Sequence, residues 1–115
     1  MKIVVIIPTY NERENISSLI DDLEKEFKTI INHQFRILIV DGNSPDGTAE
    51  AVNQKNKIYQ NIDLIVEKEK RGLGSAYLAG MKYAIKDLKA DAFIEFDGDG
   101  QHDPKDIKRL VAELD

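Results

Sequence analysis

The chain has 115 residues, 42% of them hydrophobic and 32% charged, which is the balance of a globular protein with apolar material for one core. With 16 basic and 21 acidic residues the formal net charge is −5, which argues against nucleic acid as a partner. The absence of cysteine excludes disulfides, thiolate zinc sites and a cysteine nucleophile, and two histidines, His33 and His102, are too few for a histidine metal cage. Oxygen chemistry remains.

Residues 2–7, KIVVII, form a β-branched run expected of a parallel strand covered on both faces, with Pro8 ending it. The run is too short for a secretory leader and no small-residue cleavage site follows. No apolar stretch approaches the roughly 20 residues of a membrane helix. Taken alone, these features predict a soluble, cytoplasmic chain.

Asn11 is placed to cap a first helix, in which Ile16, Leu19, Ile20, Leu23 and Phe27 recur at helical spacing on one apolar face. A second strand, FRILIV at 35–40, ends at Asp41. The turn-rich loop DGNSPDGT leads through Thr48 into a short, weak helix with Ala49, Ala51 and Val52. A third strand, IDLIVE, occupies 62–67. The basic, glycine-rich loop KEKRGLGS then opens a helix over 76–88, with Tyr77, Met81, Ala84, Ile85 and Leu88 expected inside. The fourth strand, DAFIEF at 91–96, runs into DGDGQHDP. Asp103 as cap and Pro104 at the first helical position start a last helix, with Ile107, Leu110, Val111 and Leu114 expected inside.

Four strand–helix alternations predict an α/β fold with a parallel sheet, right-handed crossovers and helices on both faces. Ligands of such sheets bind beyond the carboxyl ends of the strands, so the loops at 8–15, 41–48 and 97–103 should converge on one crevice.

Alternate side chains of an extended segment point the same way, so Asp97, Asp99 and Gln101 can present three oxygens to one side. Magnesium or manganese takes such hard ligands and completes its shell with substrate phosphates. An EF-hand reading fails, because it needs Gly where His102 stands and Glu where Lys108 stands. A polar turn in which Asp103 caps a helix accounts for the same residues without a metal. RGLGSAY departs from a dinucleotide fingerprint, having Tyr77 at the third glycine position and following the third strand. Its plainer meaning is close backbone approach at Gly72 and Gly74, with positive charge from Arg71 or Lys70. In PTYNERE, Tyr10 offers a stacking face and Glu12 an acceptor, although a strand followed by a helix cap explains the same spacing.

Together VVIIPTYNERENI, ILIVDGNSPDGT, RGLGSAYLAGMKYA and FIEFDGDGQHDP resemble the family 2 glycosyltransferases of the GT-A fold. Within them the chain resembles the polyprenol-phosphate branch that includes dolichol-phosphate mannose synthases. The resemblance implies transfer of a hexose, mannose from GDP-mannose above others, to a polyprenyl phosphate with inversion. Pro8, Tyr10 and Glu12 would line the nucleotide pocket, with Val40 and Asp41 beside base and ribose. Gly98 and Arg71 would belong to the same pocket. Asp97, Asp99 and Gln101 would hold Mg2+ or Mn2+ on the diphosphate, Asp97 and Asp99 being the residues expected to serve catalysis. Relatives carry a second acid where this chain has Gly42, so one acceptor for the nucleotide is missing.

Family members also continue into an acceptor half. Residues 1–115 are therefore expected to form the nucleotide-sugar-binding part of a domain, whose acceptor part lies in a continuation or a partner chain. Such a part would leave the edge and the apolar face of its fourth strand open. The lipid acceptor would bring the protein to the cytoplasmic face of a membrane. A sugar other than mannose, such as glucose, and a non-catalytic binding module are the alternatives.

Overall fold

Ile3 to Ile7 are all fully buried, which a strand achieves only when both faces of its sheet are covered. The computed structural model describes residues 1–68, 72–97 and 103–114. In chain order the elements are β1 (Lys2–Thr9), α1 (Arg13–Phe27), β2 (Gln34–Asp41), α2 (Thr48–Tyr59), β3 (Ile62–Val66), α3 (Leu73–Lys86), β4 (Ala92–Glu95) and α4 (Asp106–Leu114). Among the described residues the sheet has four strands in the order β3-β2-β1-β4, all parallel, so the expected α/β alternation is present.

The alternation of side chains along β1 divides the core in two. Ile3, Val5 and Ile7 join the buried stripe of α1, made of Ile16, Leu19, Ile20, Leu23 and Phe27, together with Val52 of α2 and Ile107 and Val111 of α4. Val4 and Ile6 point the other way, with Leu38 and Val40 of β2, against Ala76, Tyr77 and Ala84 of α3. Helix α3 approaches very closely at Gly80, where an added Cβ would stand 2.5 Å from Ile6 Cγ2.

The strand order also gives the switch point at which such sheets bind ligands. From β1 the chain winds outward to β3, then crosses through α3 to the far side of β1, so the order reverses between β1 and β4. Pro8 sharpens that reversal. The sequence suggests that Pro8 ends β1, but the strand runs through it to Thr9, which pairs with Asp41. Ile6 O accepts Phe96 N at 2.9 Å, so residues of the same parity, including Pro8, turn their main-chain polar groups toward β4. Proline has no N–H to continue that ladder. Pairing with β4 therefore stops at Ile6–Glu95 while pairing with β2 continues.

Other expectations need correction. Asn11 does not cap α1; it stands at φ 55, and Glu12 occupies the cap position without a side-chain cap bond. Helix α2 runs from Thr48 to Tyr59, longer than its weak periodicity suggests. Ile85 is 59% exposed on the outer side of α3. Leu114 is 41% exposed near the end of α4. That helix starts at Asp106 after a turn in which Asp103 Oδ1 accepts Lys105 N at 3.0 Å, so Asp103 and Pro104 precede it.

β4 is an edge strand, paired only with β1 among the described residues. One of its faces is covered, contrary to expectation: Ile94 and Phe96 belong to the same cluster as Ile107 and Val111. Among the described residues no helix is long and apolar enough to cross a membrane.

Candidate functional site

A parallel sheet brings the carboxyl ends of its strands to one edge, so the segments after Thr9, Asp41 and Glu95 start side by side. Between β1 and β2 the edge is closed by hydrogen bonds. Asp41 is fully buried, and its Oδ1 accepts the hydroxyls of Thr9 and Ser44, each at 2.7 Å. Its Oδ2 accepts Ser44 N at 2.8 Å. Ser44 Oγ in turn accepts Asn11 N at 2.8 Å, which ties the turn after β1, with Asn11 at its positive φ, to the turn after β2. Gly42, buried, donates its N–H to Thr9 O at 3.0 Å.

One step further out, Asp46 braces two helix starts. Its Oδ1 accepts both the N–H and the hydroxyl of Thr48 at the head of α2, while Oδ2 accepts Arg13 N at 3.1 Å at the head of α1. Thr48 Oγ1 also accepts Glu12 N at 3.1 Å. The Thr48 hydroxyl, assisted by these main-chain donors, holds the Asp46 carboxyl below its usual range. Gly47, at φ 91, makes the turn between them, and a Cβ there would meet the Arg13 guanidinium at 2.8 Å.

The side facing β4 is built differently. Asp97, half-buried, follows β4 by two residues and accepts the hydroxyl of Tyr77 at 2.6 Å. The Tyr77 ring is packed in the α3 core, only 9% exposed.

Of the residues singled out in the sequence, Pro8, Tyr10, Glu12, Asp41, Gly42 and Asp97 stand at this edge. Pro8 is half-buried in β1, Tyr10 is 38% exposed and Glu12 is half-buried at the head of α1. Val40 lies beneath it, turned into the α3 core. Asp99, Gln101, Gly98 and Arg71 lie outside the described residues. Asp97 is a hard oxygen donor of the kind magnesium or manganese takes. Among the described residues no group of three His, Cys, Asp or Glu side chains is arranged to hold a metal.

The roles of Thr9, Ser44 and Asp46, and the reach of Tyr77, escape a reading of the sequence. Serine and aspartate in a turn signal local capping. That signal does not reveal which distant donor or acceptor the side chain meets.

Residues 4–115 match the model of Glycosyl transferase family 2. The chain is 36% identical over 111 residues to a dolichol-phosphate mannosyltransferase of Pyrococcus furiosus, covering 96% of this chain and 29% of that protein. It is 34% identical over 113 residues to a polyprenol monophosphomannose synthase of Mycolicibacterium smegmatis, covering 97% of this chain and 40% of that one. The chain thus spans less than half the length of these relatives. Among solved structures, a mannosyltransferase from Pyrobaculum calidifontis in complex with GDP-Man and Mn2+ superposes with a TM-score of 0.61 at 28% identity, over 71% of this chain and 24% of that one. A match along almost the whole chain, on the all-parallel α/β sheet of the GT-A type, makes this chain a member of glycosyl transferase family 2.

Proposed function

We propose that the carboxyl edge of the sheet takes a nucleoside diphosphate sugar, GDP-mannose, with Mg2+ or Mn2+, and serves transfer of the sugar to a polyprenyl phosphate at a membrane surface with inversion at the anomeric carbon. The observation that carries this reading is the identity of 36% and 34%, over nearly the whole chain, to two proteins named for mannosyl transfer to polyprenol-type acceptors. The solved neighbour with GDP-Man and Mn2+ supports donor and metal. In this reading the chain is the nucleotide-sugar-binding part of a larger domain. A continuation or a partner chain supplies the acceptor part.

The chain's own groups divide the work. Tyr10 offers its ring to the base, and Pro8 keeps β1 and β4 apart where the nucleotide enters. Asp41 has its oxygens committed to Thr9 and Ser44, so it acts by holding the turn that follows β2 against the pocket. Glu12 presents its carboxylate from the head of α1, and Gly98 and Arg71 would serve the phosphates. Asp97, Asp99 and Gln101 would hold the metal. A divalent ion bound there would neutralise charge on the departing diphosphate. A phosphate acceptor is already ionised near neutral pH, so the reaction asks no strong base of these residues.

Calorimetry with GDP and with UDP, each with and without Mn2+, tests the reading. GDP should bind more tightly than UDP, Mn2+ should strengthen binding, and Asp99→Ala should remove the Mn2+ effect. Equal affinity with and without metal would overturn it.

A further inference from the structure

We propose that Tyr77 is a positioning residue for the Asp97 carboxylate, holding it in the orientation that a divalent cation at the head of β4 requires. This rests on the reading of Asp97 as a metal ligand. Three observations lead to it. The first is the hydrogen bond itself, 2.6 Å from Tyr77 Oη to Asp97 Oδ1, between groups 20 residues apart in sequence.

The second is that the donor is anchored. The Tyr77 ring lies in the cluster formed by Val4, Ile6, Leu38, Val40, Ala76 and Ala84. Gly80, one turn further along α3, fixes how near that helix comes to β1. The hydroxyl therefore stands at a point set by the core. The third is that Asp97 lies outside the paired register of β4 with β1. The β1–β4 ladder ends at Ile6–Glu95 because Pro8 has no N–H to extend it, so Asp97 lies beyond the last paired residue. A donor on one carboxylate oxygen sets the plane of the group, and such partners tune metal ligands in general.

Burial alone could explain a partner for a tyrosine hydroxyl. The two roles predict different losses. If the bond only satisfies a buried hydroxyl, removing it lowers stability and leaves metal affinity alone. If it positions Asp97, metal affinity falls while metal-free nucleotide binding does not.

The test compares wild type, Tyr77→Phe, Asp97→Ala and Tyr83→Phe, the last removing a hydroxyl from the same helix. Electron paramagnetic resonance of free Mn2+ in the presence of GDP gives the Mn2+ dissociation constant, calorimetry gives metal-free GDP affinity, and thermal melts report folding. Tyr77→Phe should weaken Mn2+ binding roughly tenfold, the scale of losing a partner of a metal ligand. Its metal-free GDP affinity should match wild type, and Tyr83→Phe should leave both unchanged. Wild-type Mn2+ affinity in Tyr77→Phe, with binding abolished in Asp97→Ala, would overturn the positioning role and keep Asp97 as ligand. Wild-type affinity in Asp97→Ala itself would overturn both.

Discussion

Asp41 ends β2 and Asp97 follows β4, on opposite sides of β1, and their surroundings differ. Asp41 is fully buried and its two oxygens accept three hydrogen bonds, from the Thr9 hydroxyl and from the hydroxyl and N–H of Ser44. Asp97 is half-buried and accepts the hydroxyl of Tyr77 at 2.6 Å. A carboxylate buried among protein donors maintains structure, whereas one that is partly open to solvent can serve a ligand. The difference starts in the backbone. The β1–β2 ladder runs on to Thr9–Asp41, while Pro8 stops the β1–β4 ladder short of Asp97.

Truncation should expose this division most strongly. Asp41→Ala leaves two hydroxyls and an N–H without their acceptor at a buried site, and should cost about 3 kcal/mol of stability in urea unfolding. Asp97→Ala should cost under about 1 kcal/mol by the same measurement, because the site is partly open. Comparable losses for the two variants would dissolve the distinction.

Gly80 tests the scaffold behind Tyr77. A methyl there meets Ile6 Cγ2 at 2.5 Å, so α3 or β1 must shift. Gly80→Ala should destabilise by about 1–3 kcal/mol, the range for overpacking. It should also weaken Mn2+ binding, since it moves the helix that carries Tyr77. Lost stability with unchanged Mn2+ affinity would mean that the Tyr77–Asp97 pair tolerates the shift.

How much of this is legible in the sequence depends on whether one segment or two determine it. The β-branched run of β1 and the stripe Ile16, Leu19, Ile20, Leu23 and Phe27 carry their periods locally, and all are buried as those periods predict. Ile85 is misassigned because α3 is apolar on more than one side, so spacing alone does not mark the packed face. Pro8 reads as a strand end because its effect depends on which neighbour its nitrogen faces, a property of the sheet. The bond from Thr9 to Asp41 joins residues 32 apart, and nothing in either segment names the other. For the site, order along the chain places Asp97 after a strand, whereas its partner Tyr77 reads as one more core residue.

The Gly42 position sharpens the β1–β2 side of the comparison. Asp41 is already committed to the protein, so it has little capacity left to replace the acid that the family resemblance implies for the next residue. Gly42→Asp should tighten GDP binding by about 1 kcal/mol, the net worth of one hydrogen bond, as read by calorimetry. No gain would mean that the buried turn at Gly42 has no room for the side chain or that the nucleotide does not reach it.

Glu24 supplies the smallest effect and an independent check on what donors do for a buried carboxylate. It lies on α1, only 6% exposed, and its Oε1 accepts Asn61 Nδ2 at 2.6 Å. Asn61 Oδ1 is buried without a partner among the described residues. Burial pushes the Glu24 carboxyl above its ordinary value, and the Asn61 hydrogen bond offsets this only in part. The folded state therefore holds the Glu24 proton more tightly than the unfolded state. Below the ordinary glutamate range both states are protonated and no penalty applies. As pH rises through the raised value, the charge must be carried in a poorly hydrated place and stability is lost. Glu24→Gln stays neutral throughout, keeps an oxygen for Asn61 Nδ2 and adds an N–H donor nearby. It should be more stable than wild type at pH 7 by on the order of 0.5 kcal/mol, or about 2–4 °C in melting temperature. The two should converge as pH falls toward 4, since protonated glutamate resembles the amide. Melts from pH 4 to 8 check this. A wild type that stays level with or above the variant at pH 7 would show that the Asn61 donor offsets the burial of the Glu24 charge in full.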